Sequence, residues 1–380
     1  MFIPYSSQQK PIFLKRAIVM LPVLICFLFI VISLLTVTKI SYYLSYQNVS
    51  KALQAMKAET MVDFLGWENP YFKQVLPDDH QSVSLSKLSF QSLTNINFGD
   101  TRSLLGNELP GFSIFDTEII VAGEGTNYSN VPVESSPPLD YLLKEKKKDK
   151  TDHDQEKPKP APEDVKNGKV FLYSTHSYES YLPILGLTGA KDANKATSTS
   201  KNIHMVDEMF AKALKERGVK AVADLSSMTE LLRKKNWTTA QAYDASRPIV
   251  KEAINSNKDY KLFIDVHRDS SRKKDTTAHI NNKPFARVSF VIGKENPYYK
   301  KNLAITNKLH DDLNKLYPGL SKGIFEKRGT GVNGVYNQDL SPHVILIEVG
   351  GVDNTKEELQ NTIDALARVV QDYLKNADKV

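Results

Sequence analysis

Three apolar runs of this chain end on residues that can bind a metal or move a proton. Lys169-Val-Phe-Leu-Tyr-Ser-Thr175 runs into His176, with Glu179 three residues later. Leu262-Phe-Ile-Asp-Val266 runs into His267, which has Asp265 and Asp269 two residues away on either side. His343-Val-Ile-Leu-Ile347 runs into Glu348, and Val349-Gly-Gly351 follows. Catalytic zinc commonly takes three nitrogen or oxygen ligands from the protein and keeps one position open. His176, His267 and Glu179 can supply those ligands. Glu348 closes a very apolar strand, and burial raises a carboxyl pKa toward the range where it works as a general base. Asp265 and Asp269 are placed to orient the imidazole of His267 from behind. Arg268 between them can serve the same shell or the substrate.

Such a centre forms only if the three runs are neighbouring strands. Short apolar runs bounded by polar residues read as buried strands of a parallel sheet. In open α/β sheets the chemistry sits outside the carboxyl ends of those strands. The spacing predicts helices over 200–217, 238–255, 297–317 and 355–374, and further strands over 219–222 and 285–292. Strands alternating with helices predict an α/β domain over residues 168–380, a mostly parallel sheet covered by helices on both faces. His279 falls in a polar hairpin, and His204 and His310 fall on helices as ordinary residues.

Upstream, residues 1–16 are polar and carry Lys10, Lys15 and Arg16. Residues 17–38 then read as a transmembrane anchor, because an uncharged helix of that length crosses a hydrocarbon core of about 30 Å. Lys15 and Arg16 place the N-terminus in the cytoplasm and everything beyond the anchor outside. Residues 39–133 read as a membrane-proximal region with a strand or two near 112–121. Residues 134–167 mix Pro158, Pro160 and Pro162 with a lysine run, which predicts a solvated linker. The chain has one cysteine, Cys26, so internal disulfides, zinc fingers and cysteine catalysis in the C-terminal part are excluded. The net charge of +6 owes much to the lysine run, and no nucleic-acid-binding pattern accompanies it.

Four stretches resemble the stage II sporulation protein P family of spore-forming bacteria. They are Thr175-His-Ser-Tyr-Glu-Ser-Tyr181, Asp265-Val-His-Arg-Asp269, Val335-Tyr-Asn-Gln-Asp-Leu340 and Ile347-Glu-Val-Gly-Gly-Val-Asp-Asn-Thr355. That family is similar to zinc-dependent N-acetylmuramoyl-L-alanine amidases. The resemblance implies an amidase-like fold, Zn2+, and hydrolysis of the amide between muramic acid and the stem peptide of peptidoglycan, with cleavage of peptide cross-links as well. It implies a role in engulfment, in the space between mother cell and forespore, alongside sporulation proteins D and M. By position it makes His176 and His267 metal ligands and Glu348 the catalytic glutamate. The related amidases carry their ligand glutamate further along the chain, so Glu208 stands beside Glu179 as a candidate third ligand. Two other readings stay open: a metal-free hydrolase using Ser177 or Ser270, and a wall-binding module with a degenerate site.

Overall fold

The computed structural model describes residues 62–76 and 116–143 in part, and 168–329 and 332–377. The chain divides into two compact units, Met1–Thr94 and Asn95–Val380. In the first, a 3-10 helix over Pro70–Val75 is capped by Asn69, whose side chain accepts from Tyr71 N at 3.0 Å. The expected anchor over 17–38 lies outside the described residues. Among those that are described, no helix is long and apolar enough to cross a membrane.

The second unit is built on a seven-stranded sheet. Its strands are β1 (Thr117–Ala122), β2 (Val170–Tyr173), β3 (Ala221–Ala223), β4 (Leu262–Asp269), β7 (Val288–Gly293), β8 (Ser321–Lys327) and β9 (Val344–Gly351), in the order β1-β8-β7-β9-β4-β2-β3. A small hairpin, β5 (Thr277–Ile280) and β6 (Lys283–Ala286), stands apart and contains His279. The helices are α1 (His204–Glu216), α2 (Met228–Lys234), α3 (Ala242–Ser256), α4 (Lys273–Thr276), α5 (Tyr299–Leu316) and α6 (Lys356–Ala377).

Alternation along the strands decides which helix goes where, since successive side chains point to opposite faces. Val170, Leu172, Leu262, Ile264, Ile345 and Ile347 share one core with Phe210 of α1, Leu313 of α5 and Ile363 of α6. Phe171, Tyr173, Phe263 and Val344 face the other way, onto Val250 and Ala253 of α3. Helices therefore cover both faces, as expected. The sheet is mixed. The β2–β3, β2–β4, β4–β9 and β7–β8 pairings are parallel, and β1–β8 and β7–β9 are antiparallel.

Three details depart from the sequence expectation. The single strand expected over 285–292 is two, broken at Arg287, whose guanidinium turns away to donate to Glu124 O and Gly319 O. β8 escapes the hydrophobic pattern because Ser321-Lys-Gly-Ile-Phe-Glu-Lys327 carries three charges, yet every one of its residues is buried. Those charges are neutralised by partners from elsewhere in the chain: Lys322 by Asp269, Glu326 by Lys294, Lys327 by Glu134. Finally, the seven-stranded sheet reaches upstream of residue 168. β1, from the stretch assigned to the membrane-proximal region, forms its edge, because among the described residues its only strand partner is β8.

Candidate metal centre

β9, β4 and β2 lie side by side, so the three strand ends do converge. Asp265 and His267 alternate with Ile264 and Val266 and so point to the α3 face. Glu348 is the register partner of His267 on β9 and shares that face. His176 and Glu179 come from the loop after β2, where Glu179 N donates to His176 O at 2.8 Å and closes a tight turn.

The three candidate ligand atoms meet in a small volume. His176 Nδ1 is 3.4 Å from Glu179 Oε1, and His267 Nδ1 is 3.6 Å from Glu179 Oε2. The imidazoles stand edge to face, with centroids 4.7 Å apart. All three side chains are buried and lie within 4.8 Å of one another. His176 Nδ1, Glu179 Oε1 and His267 Nδ1 have no hydrogen-bond partner. A buried polar atom left unpaired costs about 1–3 kcal/mol. Three such atoms gathered within 4.8 Å are explained together by a cation, and an imidazole–carboxylate set suits a divalent transition metal. The cluster can hold a metal ion. Glu208 is exposed on α1 and is not part of it.

The residues around the cluster hold it in shape. Asp265 accepts from Thr175 N at 2.8 Å and from Thr175 Oγ1 at 2.6 Å, which ties the end of β2 to β4. Its Oδ1 also lies 2.9 Å from His267 Nε2, so the ring turns its Nδ1 toward the cluster. Arg268 does not face a ligand. Its backbone N–H donates to Glu179 Oε2 at 3.0 Å, and its buried guanidinium donates to Ser180 O and Ala196 O, clamping the loop that carries Glu179. Asp269 is fully committed, accepting from Lys322 Nζ at 2.7 Å, Ser271 N at 2.9 Å and Val133 N at 3.1 Å. Ser177 Oγ accepts from Met228 N, and Ser270 Oγ accepts from Arg268. Neither hydroxyl is bonded to a histidine among the described residues.

Electrostatics separate the two glutamates. Burial pushes Glu348 up to about 8, with Glu179 and Asp269 adding to the shift and His267 and Lys327 opposing it. Burial also works against the Glu179 carboxylate, but the His176 imidazole facing it and the charges of His267 and Arg268 outweigh it and hold this group below the usual carboxylate range. Burial alone would depress His267, yet Asp265, Glu179 and Glu348 surround it and hold it up at about 10.

Three further residues reach this site unannounced by the strand-end pattern. Glu134 follows the short segment pinned by Ser270 N to Val133 O at 3.0 Å. Its carboxylate lies 3.4 Å from Lys327 Nζ and feels both His176 and His267. Tyr243 of α3 lies edge-on to His176 at 5.4 Å and stacks on His267 at 6.2 Å, and Tyr336 packs edge to face against Tyr243. Only Tyr336 carried a signal, in the stretch Val335–Leu340.

The family described as stage II sporulation protein P matches residues 99–371. Stage II sporulation protein P of Bacillus subtilis (strain 168) is 42% identical over 335 residues, covering 86% of this chain and 83% of that protein. Among solved structures, Cwp6 from Clostridium difficile aligns with 13% identity and a TM-score of 0.32, over 54% of this chain and 29% of its own. An N-acetylmuramoyl-L-alanine amidase from Clostridium difficile 630 aligns with 11% identity and a TM-score of 0.31, over 55% of this chain and 98% of its own. The family match takes in β1, the segment ending at Glu134 and every residue of the metal cluster, and the chain belongs to the stage II sporulation protein P family.

Proposed function

We propose that this chain is a zinc-dependent peptidoglycan amidase that hydrolyses the bond between muramic acid and the stem peptide, and peptide cross-links as well. The observation that carries the reading is the set of unpartnered buried atoms on His176, Glu179 and His267, with Glu348 next to His267 across the strand pair. Family membership supports the setting in sporulation, and the resemblance to wall amidases supports the substrate. In this reading residues 17–38 anchor the enzyme, the site faces outward, and sporulation proteins D and M are its companions.

His176, Glu179 and His267 would hold the metal. Zinc bound there supplies a Lewis acid for the attacking water and the amide carbonyl. Glu348 takes a proton from the water as its oxygen attacks the carbonyl carbon. The C–N bond then breaks, and Glu348 delivers that proton to the leaving nitrogen. Asp265 keeps His267 turned the right way, and Arg268 keeps Glu179 in place.

The test is fragment release from purified wall by the full-length chain in detergent. Muramic acid freed of its peptide should appear, vanish with chelator, and return with zinc. Undiminished release in chelator would rule the metal out, and a chain that binds wall without ever cutting it would favour the binding module.

A further inference from the structure

The stretch Val335–Leu340 has a conformation that needs explaining. Tyr336 and Asn337 both adopt left-handed backbone, at φ 55° and 56°. Two successive non-glycine residues there are costly and persist only when the surroundings impose them. Here they do. Asn333 Oδ1 accepts from Tyr336 N at 2.7 Å. The Asn337 amide donates to Ser246 Oγ at 2.9 Å and Tyr243 O at 3.2 Å. Gln338 accepts from Gly293 N at 2.9 Å and donates to Val291 O at 2.8 Å. Asp339 accepts from Arg247 Nη1 at 2.8 Å.

All this holds one ring in place. Tyr336 is completely buried and meets Tyr243 edge to face at 5.1 Å and 82°. Tyr243 in turn lies against both ligand histidines, which accounts for its own ring. The Tyr336 hydroxyl is drawn toward the Glu134 carboxylate and lies within the field of Glu348, but it closes no well-formed hydrogen bond with either. A phenol is a donor at neutral pH, and a buried donor that closes no well-formed bond weakens the fold. Strain and an unused donor at the same residue, beside a reaction centre, indicate a partner that arrives with the substrate.

We propose that Tyr336 is a catalytic residue of this centre, its hydroxyl donating the hydrogen bond that holds the carbonyl oxygen of the scissile amide as charge builds on it. The proposal rests on the amide-hydrolase reading above. As water adds to the carbonyl carbon, the C=O electron pair moves onto oxygen. Tyr336 stabilises that oxygen and keeps its own proton throughout. The pair returns when the C–N bond breaks, and Glu348 protonates the nitrogen. Burial and the nearby Glu134 and Glu348 carboxylates push the phenol well above its ordinary pKa, which suits a group that donates without ionising.

The test is Tyr336→Phe in the full-length chain, with zinc content, thermal melting and steady-state turnover of wall fragments measured together. Removing one oxyanion donor should lower kcat by about 10² to 10³-fold with KM little changed. Bound zinc should equal the wild type, and the melting temperature should stay level or rise, because an unpaired buried hydroxyl is gone. Turnover at the wild-type rate would overturn the assignment. So would a variant that sheds zinc or melts early, since the hydroxyl would then belong to the fold. A wild-type chain inert with zinc would sink the hydrolase reading and this inference with it, whereas an active wild type with an equally active variant would sink this inference alone.

Discussion

Replacing Glu348 by Gln should move activity and stability in opposite directions. Glutamine keeps the shape but cannot take a proton, and losing a general base costs about 10² to 10⁴-fold in turnover. At 1.36 kcal/mol per decade that is about 3–5 kcal/mol of barrier. The stability effect follows from the position of the carboxyl group in the metal-free protein, where burial holds it at about 8 against an ordinary 4.5. Below about pH 4.5 the group is protonated in both folded and unfolded chains and contributes no penalty. Between there and pH 8 the folded chain keeps a proton that the unfolded chain releases, so stability falls as pH rises. Above pH 8 the full penalty is reached, on the order of 5 kcal/mol from the gap between the two values. Glu348→Gln lacks this penalty. Chemical denaturation of the metal-free proteins should therefore show the variant level with wild type at pH 4.5 and clearly more stable at pH 8.5, while the zinc-loaded variant keeps its metal and loses turnover. Stability curves that run parallel across this range would refute the reasoning about burial. Full turnover in the zinc-loaded variant would refute the role of Glu348 as base.

Lys322→Met strands Asp269 as a buried charge, and breaking such a pair costs about 3–5 kcal/mol, to be read from denaturant midpoints. Adding Asp269→Asn to it should recover much of the loss. Asp265→Asn should weaken zinc binding about 10- to 100-fold in competition with a chelating dye, the usual effect of losing a group that orients a ligand. A chain beginning at residue 95 should fold as a soluble unit, whereas one beginning at 168 lacks β1 and the Val133–Asp269 tie, leaving β8 as an open edge. Hydrogen exchange should then show faster exchange of the β8 amides that face β1, and equal protection in both fragments would contradict this.

The centre of the fold was legible because its strands are apolar and stop at polar residues. Phe171, Leu172, Phe263, Ile264, Ile345 and Leu346 announce β2, β4 and β9, and the alternation within them puts Asp265, His267 and Glu348 on one face. The turn from His176 to Glu179 was legible from its spacing alone. β8 was not, because Lys322, Glu326 and Lys327 imitate a surface segment until their counter-charges from β4, Lys294 and Glu134 are seen. Arg268 was legible as a neighbour of the candidate ligands, but its targets were not, since they are carbonyl oxygens of a loop that folds back from residues 180–196. Glu134 could not be found by pattern. It lies beside a proline-rich stretch, and it joins the site only through contacts made far away in sequence.

The pairing of β1 with β8 also sets how long the edge of this sheet must wait to be closed. Thr117 meets Lys327 across about two hundred intervening residues, the kind of non-local contact that slows folding because its loop must close before the pairing repays it. During synthesis β1 emerges early and has no partner until β8 follows almost a whole domain later. Until then its unpaired N–H and C=O groups are open to other chains, which is where an exposed strand becomes an aggregation hazard. Truncation anywhere before β8 would leave β1 in that state. Of the described strands, the first to be made thus waits longest for its partner.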